Sequence, residues 1–225
     1  MNKKTGLTLV EVLIASTLFV LFLGGGFLLY FQGQGTITKS TWINNSTRDE
    51  GLATRELSDL SKASSYPSKI LKNNLIVNES DSYKAKIPQG VGNILLEKFP
   101  IDILAFPICT VQTDEKDVSK KGKMKWIRLQ LNNVNASKGR CNLNIVQSNT
   151  SSYTLSNNGN GSGLLNYTNN MAEFSSKTIL RDIENAFVFK EASDSVRIDL
   201  VLSSAQYTNF KKNVTLKFPL NVEFQ

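Results

Sequence analysis

The stretch that decides the fold is KKTGLTLVEVLIASTLFVLFLGGGFLLYF, residues 3–31. Its last 25 residues, 7–31, carry one charged side chain, Glu11. At about 1.5 Å per residue a helix of that length spans roughly 37 Å, more than the ~30 Å hydrocarbon core of a bilayer. A secretory signal peptide would have a shorter apolar region followed by a small-residue cleavage site. The stretch therefore predicts a transmembrane helix, and Lys3 and Lys4 before it favour a cytoplasmic N-terminus.

Residues 32–65 continue the helix with a different pattern. Oppositely charged side chains lie three or four residues apart, and apolar residues recur at helical spacing. The next proline is Pro67, so the helix is expected to end near Ser65. Because each interior glycine costs about 1 kcal/mol relative to alanine, local unwinding is expected at the glycines. The apolar positions are Trp42, Ala53, Leu57 and Leu60, and the glycines are Gly24, Gly25, Gly26, Gly33 and Gly35.

From residue 66 to residue 225 the apolar period changes to two, which is typical of strands. The alternating runs cover residues 127–131, 141–145, 196–202 and 214–224, and a polar turn joins the first two as a hairpin. Pro219 predicts that the last strand is an edge strand or is bent. The Ser/Asn/Gly-rich segment at about 147–170 predicts a flexible exposed loop. The fold class is therefore α+β, with one long N-terminal α-helix packed against an antiparallel β-sheet domain.

The chain has 225 residues and a formal net charge of +7, part of which comes from Lys3 and Lys4. Basic residues are scattered apart from one lysine cluster. A solvated surface is the favoured interpretation of that cluster, and binding of DNA or another anionic polymer is the alternative. The lysines of the cluster are Lys120, Lys121, Lys123 and Lys125.

There are two cysteines, Cys109 and Cys141, and no histidine. An isolated pair in an exported domain predicts a disulfide, with two buried free thiols as the alternative. The lack of histidine excludes a histidine-based catalytic triad and a histidine metal site. For the tight acidic group Asp114, Glu115 and Asp117, a solvated turn is favoured over a calcium site. We therefore expect no metal, no cofactor and no enzymatic activity.

The order Lys3-Lys-Thr-Gly6, then Leu7 and an apolar run with Glu11, resembles the N-terminus of type IV prepilins and pseudopilins. The resemblance implies that a prepilin peptidase removes residues 1–6 by cleaving between Gly6 and Leu7, and then N-methylates Leu7. Most major pilins begin with phenylalanine after cleavage, so Leu7 fits a minor component better. A weaker resemblance is to W-type minor pilins and J-type minor pseudopilins. It is carried by the charged amphipathic helix around 55–60, the strand–turn–strand at 126–146 and residues 179–202, in that order.

Glu11 is the candidate assembly residue. A lone carboxylate in hydrocarbon costs several kcal/mol unless it is protonated or paired with a cation. Cleavage after Gly6 would create an α-amine on Leu7, and that ammonium of one subunit could pair with Glu11 of the next. A glutamate that snorkels to the membrane surface is the alternative.

Three functions follow from the sequence. The first is a structural, minor subunit of a type IV pilus that primes assembly or decorates the tip, with roles in adhesion, motility or DNA uptake. The second is a minor pseudopilin of a type II secretion system, and the third is a membrane-anchored binding protein that does not polymerise. The expected partners are other pilin or pseudopilin subunits, prepilin peptidase and the inner-membrane assembly platform. We expect a single-pass inner-membrane protein before assembly, then an extracellular pilus or a periplasmic pseudopilus.

Overall fold

A single helix forms the N-terminal part of the structure. The computed structural model describes residues 8–71, 74–77, 81–96, 98–112, 120–135, 139–155, 161–168, 171–204 and 209–225. Helix α1 spans Leu9–Lys62, 54 residues without a break. The unwinding expected at the glycines is therefore wrong, because the helix passes through all of them. It ends three residues before Ser65, just ahead of Pro67.

The chain divides into two compact units, Met1–Asn45 and Ser46–Gln225. The first unit contains the apolar part of α1. The second contains the end of α1, a short 3₁₀ helix at Asp81–Tyr83 and all of the described strands. These strands are β1 (Ser68–Leu71), β2 (Asn74–Val77), β3 (Gly92–Asn93), β4 (Ile101–Gln112), β5 (Lys120–Asn135), β6 (Arg140–Ser148), β7 (Ser151–Leu155), β8 (Gly161–Ser162), β9 (Glu173–Lys190), β10 (Ser195–Ser203) and β11 (Lys211–Pro219).

Nine of the described strands form one antiparallel sheet, and β1 and β2 form a separate hairpin. The order in the sheet is β11-β10-β9-β6-β5-β7-β8, with β3 beside β9 and β4 beside β5. The predicted hairpin is confirmed as β5 paired with β6, and β11 is the end strand expected from Pro219. A long N-terminal helix with an antiparallel sheet domain confirms the α+β class.

Strand β9 is 18 residues long and changes partner along its length. Its first part pairs with β6, and its second part pairs with β10. At the changeover the register shifts on both sides, and Asp182 has a φ of +59°. Aspartate tolerates this left-handed conformation better than most residues, so it can form the bulge that lets β9 join the two halves of the sheet.

The prediction of a loop at 147–170 is wrong for part of that segment. Residues 151–155 form β7, which pairs with β5 and buries Tyr153 to 2% exposure. The Trp126 indole Nε1 donates a hydrogen bond to the Leu165 carbonyl at 2.9 Å. The Tyr167 hydroxyl donates to Asp102 Oδ2 at 3.0 Å. These few aromatic and apolar side chains hold a polar segment against the sheet, while residues 156–160 and 169–170 lie outside the described part of the chain.

Candidate anchoring and assembly site

Helix α1 begins with a reciprocal hydrogen-bonded cap. The Thr8 backbone N–H donates to Glu11 Oε2 at 2.9 Å, and the Thr8 hydroxyl donates to the same oxygen at 3.0 Å. In return, the Glu11 N–H donates to Thr8 Oγ1 at 3.3 Å. This is a capping box, in which the threonine N-cap and the glutamate three residues later satisfy backbone donors that have no partner inside the helix.

The cap uses only one of the two oxygens of the Glu11 carboxylate. Oε1 accepts no hydrogen bond from any described residue. A carboxylate at this position is also favoured by the positive end of the helix dipole. Glu11 is therefore fixed at the start of an apolar helix, and among the residues that the structure describes no donor contacts its Oε1.

The apolar part of α1 exposes a continuous hydrophobic surface. Its large apolar side chains over residues 9–31 range from 41% exposed at Leu23 to 82% exposed at Leu9. Within the described part of the chain, α1 is the one helix long and apolar enough to cross a membrane. Water would penalise such a surface by roughly 25 cal/mol per Å². Hydrocarbon is the environment that fits it.

Polar groups inside this apolar stretch are satisfied within the helix. The Ser16 and Thr17 hydroxyls both donate to the Leu13 carbonyl, at 2.9 and 2.8 Å. Such internal bonds allow hydroxyl side chains to lie in a membrane without an unpaired polar group. The glycines 24–26 have open space where a side chain would be, because an added Cβ would meet nothing within 4 Å. Packing inside the subunit therefore does not require them.

In the second unit, the end of α1 is held to the sheet by burial and by ion pairs. Ala53 and Leu57 are 1% and 0% exposed. Glu56 Oε2 lies 2.6 Å from Lys177 Nζ of β9, and Glu50 Oε2 lies 2.7 Å from Lys212 Nζ of β11. These two pairs join the helix to strands at different places in the sheet.

The last turn of α1 is fixed by the C-terminal segment. The Asn221 side-chain amide donates to the Lys62 carbonyl at 2.5 Å, and the Asn221 backbone N–H donates to Ser64 Oγ at 2.7 Å. The first of these bonds satisfies one of the carbonyls that a helix end leaves free. The second half of α1 is therefore part of the folded domain, as the sequence predicted.

The predicted processing residues lie outside the described part of the chain. These are Lys3, Lys4, Gly6 and Leu7. The acidic group Asp114, Glu115 and Asp117 lies outside it as well, and the described residues contain no cluster of candidate metal ligands. In the lysine cluster, Lys121 and Lys123 are exposed, whereas Lys125 Nζ donates to Gln147 Oε1 at 2.9 Å.

The predicted disulfide between Cys109 and Cys141 is wrong, because both cysteines are free thiols. Cys109 lies opposite Met124 of β5, and Cys141 lies opposite Asn133 of the same strand. These positions on β5 are nine residues apart, roughly 30 Å along a strand. A disulfide requires Cα atoms within about 7 Å, so no local adjustment could join them. Cys141 is instead buried and Cys109 half-buried, at separate places in the domain.

Sequence reasoning missed the role of Thr8. The motif Thr-x-x-Glu at 8–11 just before an apolar run is the sequence signature of a capping box and could have revealed it. It was obscured because Glu11 is the single charged residue of the apolar stretch 7–31, which directed the interpretation toward assembly alone. No comparable sequence signal exists for Lys177 and Lys212, whose contacts with α1 depend on the tertiary fold.

Comparison with known proteins supports the assignment of the N-terminus. Residues 1–27 match the family model described as the prokaryotic N-terminal methylation motif. No curated protein and no solved structure matches the chain. The matched segment contains Gly6, Leu7 and the capping box, and it extends through the apolar surface to Phe27. The chain therefore carries the class III signal that marks type IV pilins and pseudopilins.

Proposed function

We propose that this chain is a minor structural subunit of a type IV pilus, which helps to prime assembly or is located at the tip. The observation that carries the proposal is Glu11, fixed by Thr8 at the start of an exposed apolar helix with Oε1 unoccupied by described residues. After cleavage at Gly6, the α-ammonium group on Leu7 of a neighbouring subunit would supply the missing donor and the opposite charge. In a bundle of apolar helices both groups would otherwise be costly to bury.

The two halves of α1 suit this role. The large apolar side chains of residues 9–31 are exposed, so this half is available first to lipid and then to the helices of other subunits. The glycines 24–26 are not required by packing in the subunit, which favours a close approach by neighbouring helices. The second half is tied to the β-domain by Lys177 and Lys212, so the domain is carried on the filament surface.

The test separates the charge of Glu11 from its capping function. Glu11→Gln keeps an oxygen for the Thr8 donors but removes the charge, because glutamine also serves in a capping box. Thr8→Ala removes the hydroxyl from the cap but keeps the charge of Glu11. Filaments are sheared from cells, and each variant is quantified in the sheared and membrane fractions. We expect Glu11→Gln and Glu11→Ala to lose incorporation alike while membrane insertion is unchanged, and Thr8→Ala to retain most of it. Incorporation of Glu11→Gln at the wild-type level would contradict a role for the charge.

A minor pseudopilin of a type II secretion system shares every feature of this site. The two functions differ in the genes that accompany this one. A retraction motor would favour the pilus, and an outer-membrane secretin beside exported hydrolases would favour secretion. The third alternative, an anchored binding protein that does not polymerise, has no need of cleavage after Gly6.

A further inference from the structure

In the apolar part of α1, polar side-chain atoms occur at the two ends of the stretch and in one internal pair. The internal pair, Ser16 and Thr17, donates its hydroxyl protons to a carbonyl of the same helix. From residue 18 to residue 29 no side chain carries a polar atom. The side chains that gain from polar surroundings are therefore Glu11 in the cap and Tyr30 at the opposite end of the stretch.

Tyr30 combines an exposed ring with a hydrogen-bonded polar tip. The Gln34 side-chain amide donates to the Tyr30 hydroxyl oxygen at 2.6 Å, so the hydroxyl keeps its own proton as a donor. Tyr30 is 59% exposed, and its ring meets the ring of Phe31 edge-on with the centroids 5.9 Å apart. An aromatic ring with a polar tip is the kind of side chain that is enriched where hydrocarbon meets the lipid headgroups.

The separation of the two polar ends matches the thickness of a bilayer. Glu11 and Tyr30 lie on one unbroken helix, nineteen residues apart. At about 1.5 Å per residue this is a rise of roughly 28 Å, against ~30 Å for the hydrocarbon core. A helix that crosses with little tilt therefore places both polar groups at the headgroups, while the apolar residues between them fill the hydrocarbon.

We propose that Tyr30 and Gln34 form a lipid-anchoring pair, which binds the phospholipid headgroup boundary on the side of the membrane opposite the Thr8–Glu11 cap. The ring packs against the upper acyl chains, and the hydroxyl donates to a lipid phosphate or ester oxygen. The two ends together set the depth of the helix, so that Glu11 lies near water and needs no partner inside the hydrocarbon. A partner becomes necessary when the helix moves from lipid into a bundle, a consequence that rests on the proposed function.

Cysteine accessibility in the full-length chain maps the predicted boundary. The chain is placed in nanodiscs of phosphatidylethanolamine and phosphatidylglycerol, in which a charged thiol reagent reaches both faces. Phe22→Cys is the control inside the hydrocarbon, Ser40→Cys is the control in water, and the wild-type chain gives the background of the native thiols. We expect Gln32→Cys to react about tenfold faster than Leu28→Cys, because the reactive thiolate does not form in hydrocarbon.

The role of Tyr30 is tested in the Gln32→Cys chain. Tyr30→Leu removes the ring and the hydroxyl, so the helix can sink and the reaction at position 32 should slow about fivefold. Tyr30→Trp keeps a ring with a polar tip and should stay within about twofold of the parent. Phe31→Leu is the matched control, because it removes a neighbouring ring that has no polar atom, and it should also stay within about twofold.

The proposal is overturned if Tyr30→Leu reacts at the parent rate, or if Phe31→Leu slows the reaction as much as Tyr30→Leu does. It is overturned equally if Leu28→Cys reacts as fast as Ser40→Cys, since the boundary would then lie deeper in the apolar stretch. These measurements use the unassembled chain in lipid. Their failure would therefore leave the expected loss of Glu11 variants from filaments untouched, and failure of that expectation would leave the anchoring pair standing.

Discussion

At the scale of single residues, the two thiols are protected by burial and not by a bond. Burial raises the pKa of Cys109 and of Cys141 to about 12, against about 8.5 for an exposed thiol. The reactive thiolate is therefore scarce in the folded protein at pH 8.5 but abundant in the unfolded chain.

We expect native protein to react slowly with a thiol reagent at pH 8.5, and denatured, unreduced protein to titrate two thiols. Because the folded state keeps these protons, the free energy of unfolding should fall as the pH rises from about 8.5 toward 12. The measurement is thiol titration with and without denaturant, together with urea unfolding across that range. If the denatured, unreduced protein contained no free thiols, the original prediction of a disulfide between the two cysteines would be correct.

A buried polar network fixes the segment that sequence analysis predicted as a loop. Arg128, 1% exposed, lies 3.2 Å from Asp102 Oδ2 and 3.1 Å from Glu173 Oε1, and it also donates to the Met171 carbonyl. The Tyr167 hydroxyl donates to Asp102 as well, and burial followed by that carboxylate raises its pKa. The network therefore connects β4, β5 and β9 with the segment before β9.

Arg128→Met should destabilise the domain by about 3–5 kcal/mol, because it leaves Asp102 buried without a cation. The same substitution at exposed Arg55 is the matched control and should change stability by less than about 0.5 kcal/mol. The measurement is urea unfolding followed by tryptophan fluorescence, since Trp126 is hydrogen-bonded to Leu165 of the same segment. Equal stability of the two variants would show that the network contributes nothing.

At the scale of secondary structure, the strands that were predicted are those in which apolar and polar residues alternate along the sequence. Strands β10 and β11 alternate between buried and more exposed residues over 195–202 and 213–219. Strand β4 was not recognised because it is buried on both faces over most of its length, so that after Asp102 its residues 103–109 are apolar without alternation. Strand β9 was missed for the opposite reason, because its first six residues are exposed. Strand β7 was hidden by a composition typical of loops.

The bulge of β9 makes a prediction about Asp182. At a φ of +59° glycine is free of strain, asparagine tolerates the conformation and a β-branched residue does not. We expect Asp182→Val to cost about 1–2 kcal/mol, while Asp182→Asn and Asp182→Gly remain near the wild type. Urea midpoints of the three variants give the comparison. A valine variant as stable as the asparagine variant would mean that the backbone relaxes at no cost.

At the scale of the whole molecule, the α+β architecture and the helix extent could be predicted because they depend on long periodic patterns. The pairing of residues far apart in sequence could not. Cys109 and Cys141 were predicted to be bonded, but the register places them opposite distant points of β5. Glu11 was identified from the sequence alone, but its capping partner Thr8 was not.

Cleavage of the N-terminal leader can be tested directly on the whole chain. If Gly6 and Leu7 flank the peptidase site, the intact mass of protein from cells should lack residues 1–6 and carry one added methyl group. Gly6→Phe should leave the full-length chain in the membrane, whereas Gly6→Ala, a smaller change, should be cleaved to a greater extent. Filaments that contain chains starting at Met1 would contradict this assignment.

The contacts that hold the second half of α1 also set an order of events during export. Its partners Lys177, Lys212 and Asn221 lie 121, 162 and 159 residues after the helix residues that they bind. Synthesis proceeds from the N-terminus, so the helix is made first and its partners are made last. Until the final quarter of the chain has been translocated, Glu50, Glu56 and the Lys62 carbonyl lack these partners. A stalled or shortened chain would thus present the last turns of α1 to proteases without the polar contacts that hold them in the finished domain.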